Sequence, residues 1–144
     1  MRNLAASAIS CFALLIFTTS GQAQTAPKSL KCEFGLGTTV TYAKGRYKSA
    51  KVLPLTFHIL SIDLAGQKAA LTTGKSNAKS VLRIVRAVNA NHFLEVVAEG
   101  FLNTTTVYDL DKKTNNYPAV HSRHFGLFGE PVVAQYYGFC TSMD

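Results

Sequence analysis

Along most of this chain apolar and polar residues alternate with a period of two. Leu30-Lys31-Cys32-Glu33-Phe34 puts Leu30, Cys32 and Phe34 on one face and charge on the other. That is the mark of a strand with one side buried. Gly35-Leu36-Gly37 predicts a break, and the β-branched and aromatic run Thr38–Tyr42 predicts a second strand. Lys44-Gly45-Arg46 reads as a turn. Pro54 requires a strand before it to end or to lie at an edge. Leu55–Leu64 reads as a long strand, Ala65-Gly66 as a turn, and Gln67–Thr73 as the returning strand. A polar loop, Gly74–Ser80, precedes Val81–Val88. After the turn Asn89-Ala90-Asn91, His92–Glu99 alternates Phe93, Glu95 and Val97 against Leu94 and Val96. Gly100 breaks the pattern before Phe101–Leu110. Asp111–Asn116 is a turn cluster.

Near the C-terminus, Tyr117–Ser122 contains Pro118 and is therefore expected at an edge. Gly126–Pro131 reads as a loop, and Val132–Cys140 as the last strand, with Phe139 and one of Tyr136 and Tyr137 in the core. About eight strands at 8–12-residue spacing predict an all-β fold, a single antiparallel meander forming a small barrel or sandwich. Barrel closure would pair the last strand with the first and remove exposed edges.

The N-terminus departs from this pattern. Arg2 is a short positive head, Leu4–Phe17 an uncharged apolar run of 14 residues, and Gly21-Gln22-Ala23 a small-residue cleavage site. This is the layout of a secretory signal peptide cut after Ala23. The run is shorter than the ~20 residues that span a bilayer. Cys11 lies inside it, not at the cleavage point where a lipoprotein needs its cysteine. The chain thus divides into a signal peptide (1–23), a flexible leader (24–29) and a single β domain (30–144). The expected location is periplasmic or secreted, with no transmembrane segment in the mature chain.

Export makes a disulfide the natural state of a cysteine pair. Cys32 and Cys140 are the two that remain after cleavage. They admit one intramolecular bond, which would tie the terminal strands together.

Charge is uneven. Lys28 to Arg86 holds eleven basic residues against two acidic ones, and the remainder is net acidic. A one-sided basic field attracts polyanions. Lys44, Arg46, Lys48, Lys51, Lys75 and Lys79 are the candidate anion-binding residues. In an envelope compartment their partner would be an anionic envelope surface or an acidic protein, not nucleic acid.

His121-Ser122-Arg123-His124 is the densest cluster of chemistry-bearing side chains. In an extended strand the two histidines point to opposite faces, so they share no metal, and no zinc spacing accompanies them. The structural alternative is a strand corner with solvated histidines and Arg123 paired to Glu130 or an aspartate. Asp109-Leu110-Asp111 reads as charge at a turn. No nucleophile or zinc-protease motif is present, so no catalytic residue and no cofactor is assigned. The candidate ligand-binding residues are His121, Arg123, His124, Phe128, Tyr136 and Tyr137, since aromatic groups often line barrel mouths.

Lys31-Cys32-Glu33, Val40-Thr41-Tyr42 and the far cysteine resemble the periplasmic inhibitors of c-type lysozyme, small exported β-barrels with disulfide-joined terminal strands. The likeness covers the ends only. That family's Ser- and Gly-rich inhibitory loop runs into an Arg-Tyr or Lys-Tyr pair; Gly74–Ser80 lacks the tyrosine, and the family's tryptophan is absent. The resemblance therefore implies architecture and no inhibitory residues. The C-terminal half, with Tyr136-Tyr137-Gly138-Phe139-Cys140, is similar to uncharacterised small exported β-domain proteins of Gram-negative bacteria. The expected function is a non-enzymatic binding or interaction module that recognises anionic envelope components. The alternatives are an inhibitor of a cell-wall hydrolase such as lysozyme, or an enzyme using His121 or His124.

Overall fold

A computed structural model describes residues 26–74, 78–97, 100–127 and 129–144. The expected signal peptide, Lys75 and Phe128 lie outside the described residues. The described residues form nine strands and no helix: β1 Leu30–Ala43, β2 Arg46–Lys51, β3 Leu55–Asp63, β4 Lys68–Thr72, β5 Ser80–Arg86, β6 Ala90–Val97, β7 Phe101–Tyr108, β8 Tyr117–Leu127 and β9 Glu130–Ser142. Each pairs antiparallel with its neighbours in the order β2-β1-β3-β4-β5-β6-β7-β8-β9. β1 also pairs with β9, so eight strands close into a barrel and β2 is left outside the ring.

β1 makes closure possible because it is long. Its first half, Leu30–Phe34, pairs with β3, and its second half, Thr38–Ala43, pairs with β2. β9 runs along the other edge of both halves. The predicted break at Gly35–Gly37 is instead a bulge between Phe34 and Leu36 within one continuous strand. An inserted residue shifts the alternation, so Phe34 is buried and Leu36 is exposed. Gly37 lies against the Gln135 carbonyl and Val52, and Gly138 against the Glu33 carbonyl. Neither site has space for a Cβ, so the β1–β9 seam depends on glycine.

Cys32 and Cys140 are register partners in that seam, with Cα atoms 4.0 Å apart, and form a fully buried disulfide. The core around it contains Leu30, Phe34, Phe57, Ile59, Leu82, Ile84 and Phe93. Each large apolar side chain buried there contributes roughly 1.5–3 kcal/mol.

Three expectations are corrected. Tyr117–Ser122 is not an edge strand: β8 lies between β7 and β9 and continues to Leu127. Pro118 is tolerated because the β7 ladder has no rung beyond Val107–Ala119. The Gly126–Pro131 loop shrinks to a tight turn after Leu127, with Gly129 at a φ of 81° and pairing resumed by Glu130. Phe139 is 43% exposed rather than in the core. Its neighbour Cys140 is held inward by the disulfide, and side chains alternate along a strand, so Phe139 must face out. Of the tyrosine pair, Tyr136 is buried and Tyr137 is exposed.

Candidate functional site

The inner wall of the barrel is built in cross-strand rows. At one rim, Val97 pairs with Phe101 and Phe125 with Val132, and the rings of Phe101 and Phe125 stack at 5.3 Å. One step in, the register aligns Glu95, Asn103, Arg123, Ala134 and Thr39. The next row holds Phe93, Thr105, His121, Tyr136 and Gly37. Beyond it the wall becomes apolar, with Val107, Ala119 and Phe34. Successive rows lie two residues apart along each strand, three across the β1 bulge, so each row repeats the inward phase of the alternation.

Two polar pairs form across neighbouring strands in the middle rows. Asn103 Nδ2 donates to Glu95 Oε2 at 2.7 Å, and Glu95 is only 8% exposed. Thr105 Oγ1 and His121 Nδ1 share a hydrogen bond of 2.8 Å. His121 is 3% exposed and packs among Phe34, Phe57 and Tyr136. Burial, and then the nearby Arg123 charge, push its pKa down to about 4. It is a neutral core group, not the solvated corner residue of the structural alternative.

Arg123 is half-buried in the row above. The expected pairing with Glu130 or an aspartate does not form: among the described residues the one salt bridge is Lys31–Glu33, on the outer wall.

Of the candidate ligand-binding residues, the barrel brings together His121, Arg123 and Tyr136. His124 faces out between Leu102 and Val133, and Tyr137 faces out between Val120 and Leu36. Among the candidate anion-binding residues, Lys44, Arg46, Lys48 and Lys51 gather on the β1–β2 hairpin. Its two-residue turn, Lys44-Gly45, has φ of 51° and 77°, the left-handed conformation of a hairpin turn. The rings of Tyr42 and Tyr47 meet across it in a tilted contact, centroids 4.9 Å apart. β2 is exposed at every position and pairs on one side only, so its basic residues also guard a free edge. Lys79 is exposed on the β4–β5 connection, apart from that hairpin in sequence.

Two cavities flank the polar rows. The larger, about 520 Å³, opens at the end of the barrel where the chain enters β1. Leu30, Ile62, Leu64, Phe93 and Val107 form its apolar wall, and Arg86, Asp109 and Lys112 stand around it. Ala26 and Pro27 line it from the segment before β1. They are held there by the Ser29 hydroxyl and the Lys28 N–H, both donating to the Asp144 carboxylate. Nearby, Asp111 shapes its own turn by accepting from Lys113 N–H and Thr114 Oγ1 at 2.9 and 3.1 Å. The smaller cavity, about 400 Å³, lies at the opposite end between the β2–β3 connection and Arg123, Phe125, Ala134 and Tyr136.

Sequence pattern did not single out Glu95, Asn103 or the larger cavity. The signal for Glu95 is present: it shares a face with Phe93 and Val97, where a carboxylate is unusual. The cavity joins residues of six strands, two connections and the segment before β1, and no local pattern encodes that. No protein-family model matches the chain, and neither a curated protein nor a solved structure matches it.

Proposed function

We propose that this chain is an exported, non-enzymatic binding protein that takes a small amphipathic anion from its envelope surroundings. The larger cavity carries that reading. Its volume, about 520 Å³, falls within the range of small-molecule sites, and eight-stranded barrels are wide enough to hold one small ligand. The apolar wall suits a hydrocarbon portion, and Arg86 and Lys112 suit an anionic end. Export is supported by the signal-like N-terminus and by a disulfide of the kind that persists in oxidising compartments.

The test uses the protein recovered from the periplasm of an expressing bacterium. Its mass should correspond to cleavage after Ala23 and an intact disulfide. Titration with 11-(dansylamino)undecanoic acid should give a saturable rise in fluorescence that dodecanoate reverses. Val107→Trp, which fills the cavity, should weaken binding at least about tenfold. Non-saturable binding, or a Val107→Trp protein that binds unchanged, would reject the cavity. Retention of the uncut N-terminus would reject export.

The disulfide between terminal strands keeps one alternative in play, inhibition of a cell-wall hydrolase. A lysozyme clearing assay with and without the protein separates it from ligand binding.

A further inference from the structure

We infer that the end of the barrel opposite the large cavity holds a second, independent site, for a small oxyanion with an apolar body, recognised by Arg123.

Three observations meet there. First, Arg123 is half-buried on the inner wall and lines a cavity of about 400 Å³. Among the described residues no carboxylate lies within ion-pairing distance of it. The carboxylate in its own row, Glu95, is held by Asn103. A guanidinium carries five donors in a planar fork suited to two oxygens of one anion, and here that fork has no protein anion to meet.

Second, the surroundings are apolar and aromatic. Phe125 and Tyr136 flank Arg123 at alternate positions of the wall, and Val52, Leu53 and Pro54 of the β2–β3 connection and Leu55 at the start of β3 complete the lining. Leu53 is 85% exposed, an apolar side chain left at the cavity rim. A ligand with an apolar body would cover surface that water now wets.

Third, the electrostatic approach favours an anion. The hairpin bearing Lys44, Arg46, Lys48 and Lys51 runs directly into the β2–β3 connection that forms one wall. No acidic residue occurs between Glu33 and Asp63. Clustered like charge beside a cleft raises the local concentration of counter-ions. His121, one row deeper, stays uncharged, and the carboxylate of Arg123's own row, Glu95, is engaged by Asn103, so Arg123 is the cation of the inner wall at that depth.

The size and the mixed lining distinguish this ligand from bare phosphate. A planar aryl carboxylate matches the fork, the rings and the confined volume.

Amide NMR of the isotopically labelled chain, titrated with sodium 2-naphthoate, tests the site. Saturable shifts are expected at Leu55, Arg123 and Ala134. Arg123→Gln should weaken binding at least about tenfold, the loss expected for a charge-assisted pair, and Arg86→Gln at the other end should leave it unchanged. Leu55→Trp keeps the guanidinium and fills the cavity, so it too should abolish binding. Neutral 2-naphthamide and inorganic phosphate should each bind at least about tenfold more weakly, and added salt should weaken naphthoate. Equal affinity for naphthoate and naphthamide would overturn the anion assignment. Equal affinity for phosphate would overturn the apolar half. Wild-type binding by Arg123→Gln or by Leu55→Trp, or shifts confined to Arg86 and Val107, would overturn the site itself. Dansyl-undecanoate binding in the large cavity should be insensitive to Arg123→Gln, so failure at one end is separable from failure at the other.

Discussion

The two ends of the barrel are built from the same strands, yet they differ in almost every physical respect. Where β1 begins and β9 ends, the wall is apolar, a disulfide joins the seam, and the Asp144 carboxylate clips Lys28 and Ser29 into place. At the other end the rows carry Glu95, Asn103 and Arg123, and the β1–β2 hairpin projects beyond the ring. One end is fastened by covalent and hydrogen-bonded ties. The other is held by ladder pairing and by polar pairs across adjacent strands. The row of Thr105 and His121 divides them, and two residues of strand on either side of it are enough to pass from charge to hydrocarbon. A barrel of this size thus offers two chemically unlike mouths at little structural cost, because inward positions recur every second residue.

The largest expected effect breaks the fastened end. Replacing both cysteines, Cys32→Ser with Cys140→Ser, removes a crosslink that encloses 108 residues of separation. A loop of that size is worth about 5 kcal/mol in the chain-entropy account. Urea unfolding should report that loss, and hydrogen exchange should accelerate most near Leu30 and Ser142. Equal acceleration at both ends would show that the seam is not locally fastened.

Acid should act at the dividing row. His121 titrates near 6.5 in an unfolded chain and at about 4 in the barrel. Between these values the unfolded chain binds a proton that the fold does not. Stability therefore falls as pH drops from about 6.5 to about 4, by on the order of 3 kcal/mol from this group. His121→Gln should flatten that dependence when unfolding is followed across the same range. A slope equal to that of the wild type would place the acid sensitivity elsewhere.

The smallest effect concerns the clip. The Ser29 hydroxyl and then the Lys28 N–H hold the Asp144 carboxyl below its ordinary pKa. Asp144→Asn should speed amide exchange at Lys28 and Met143 and quicken dansyl-undecanoate entry, with little change in the unfolding midpoint. Unchanged entry would mean that Ala26 and Pro27 do not restrict the mouth.

Much of the ladder was legible in the chain. Leu30-Lys31-Cys32-Glu33-Phe34 alternates as it packs, and Leu55–Leu64 and His92–Glu99 lie close to β3 and β6. The errors fall where a local signal was overruled by a neighbouring strand. Gly35–Gly37 reads as a stop, but β9 pairs across it and converts it to a bulge. Pro118 reads as an edge, but it lies past the last rung to β7. Phe139 reads as core, but the bonded Cys140 takes the inward phase. The candidate site was half legible. His121, Arg123 and Tyr136 meet, whereas His124 and Tyr137 are separated from them by the same parity rule that the alternation already contains.

Residue order alone dictated the all-β class, the pairing of two cysteines and the opposite orientation of the two histidines, because these follow from period-two geometry and from counting. Closure settled the rest. Which face of each strand became the lumen, how Glu95, Asn103 and Arg123 came into one row, and where space remained at each mouth depend on register between strands distant in the chain. Register is a property of the whole ring, since each strand's phase is set by two neighbours at once.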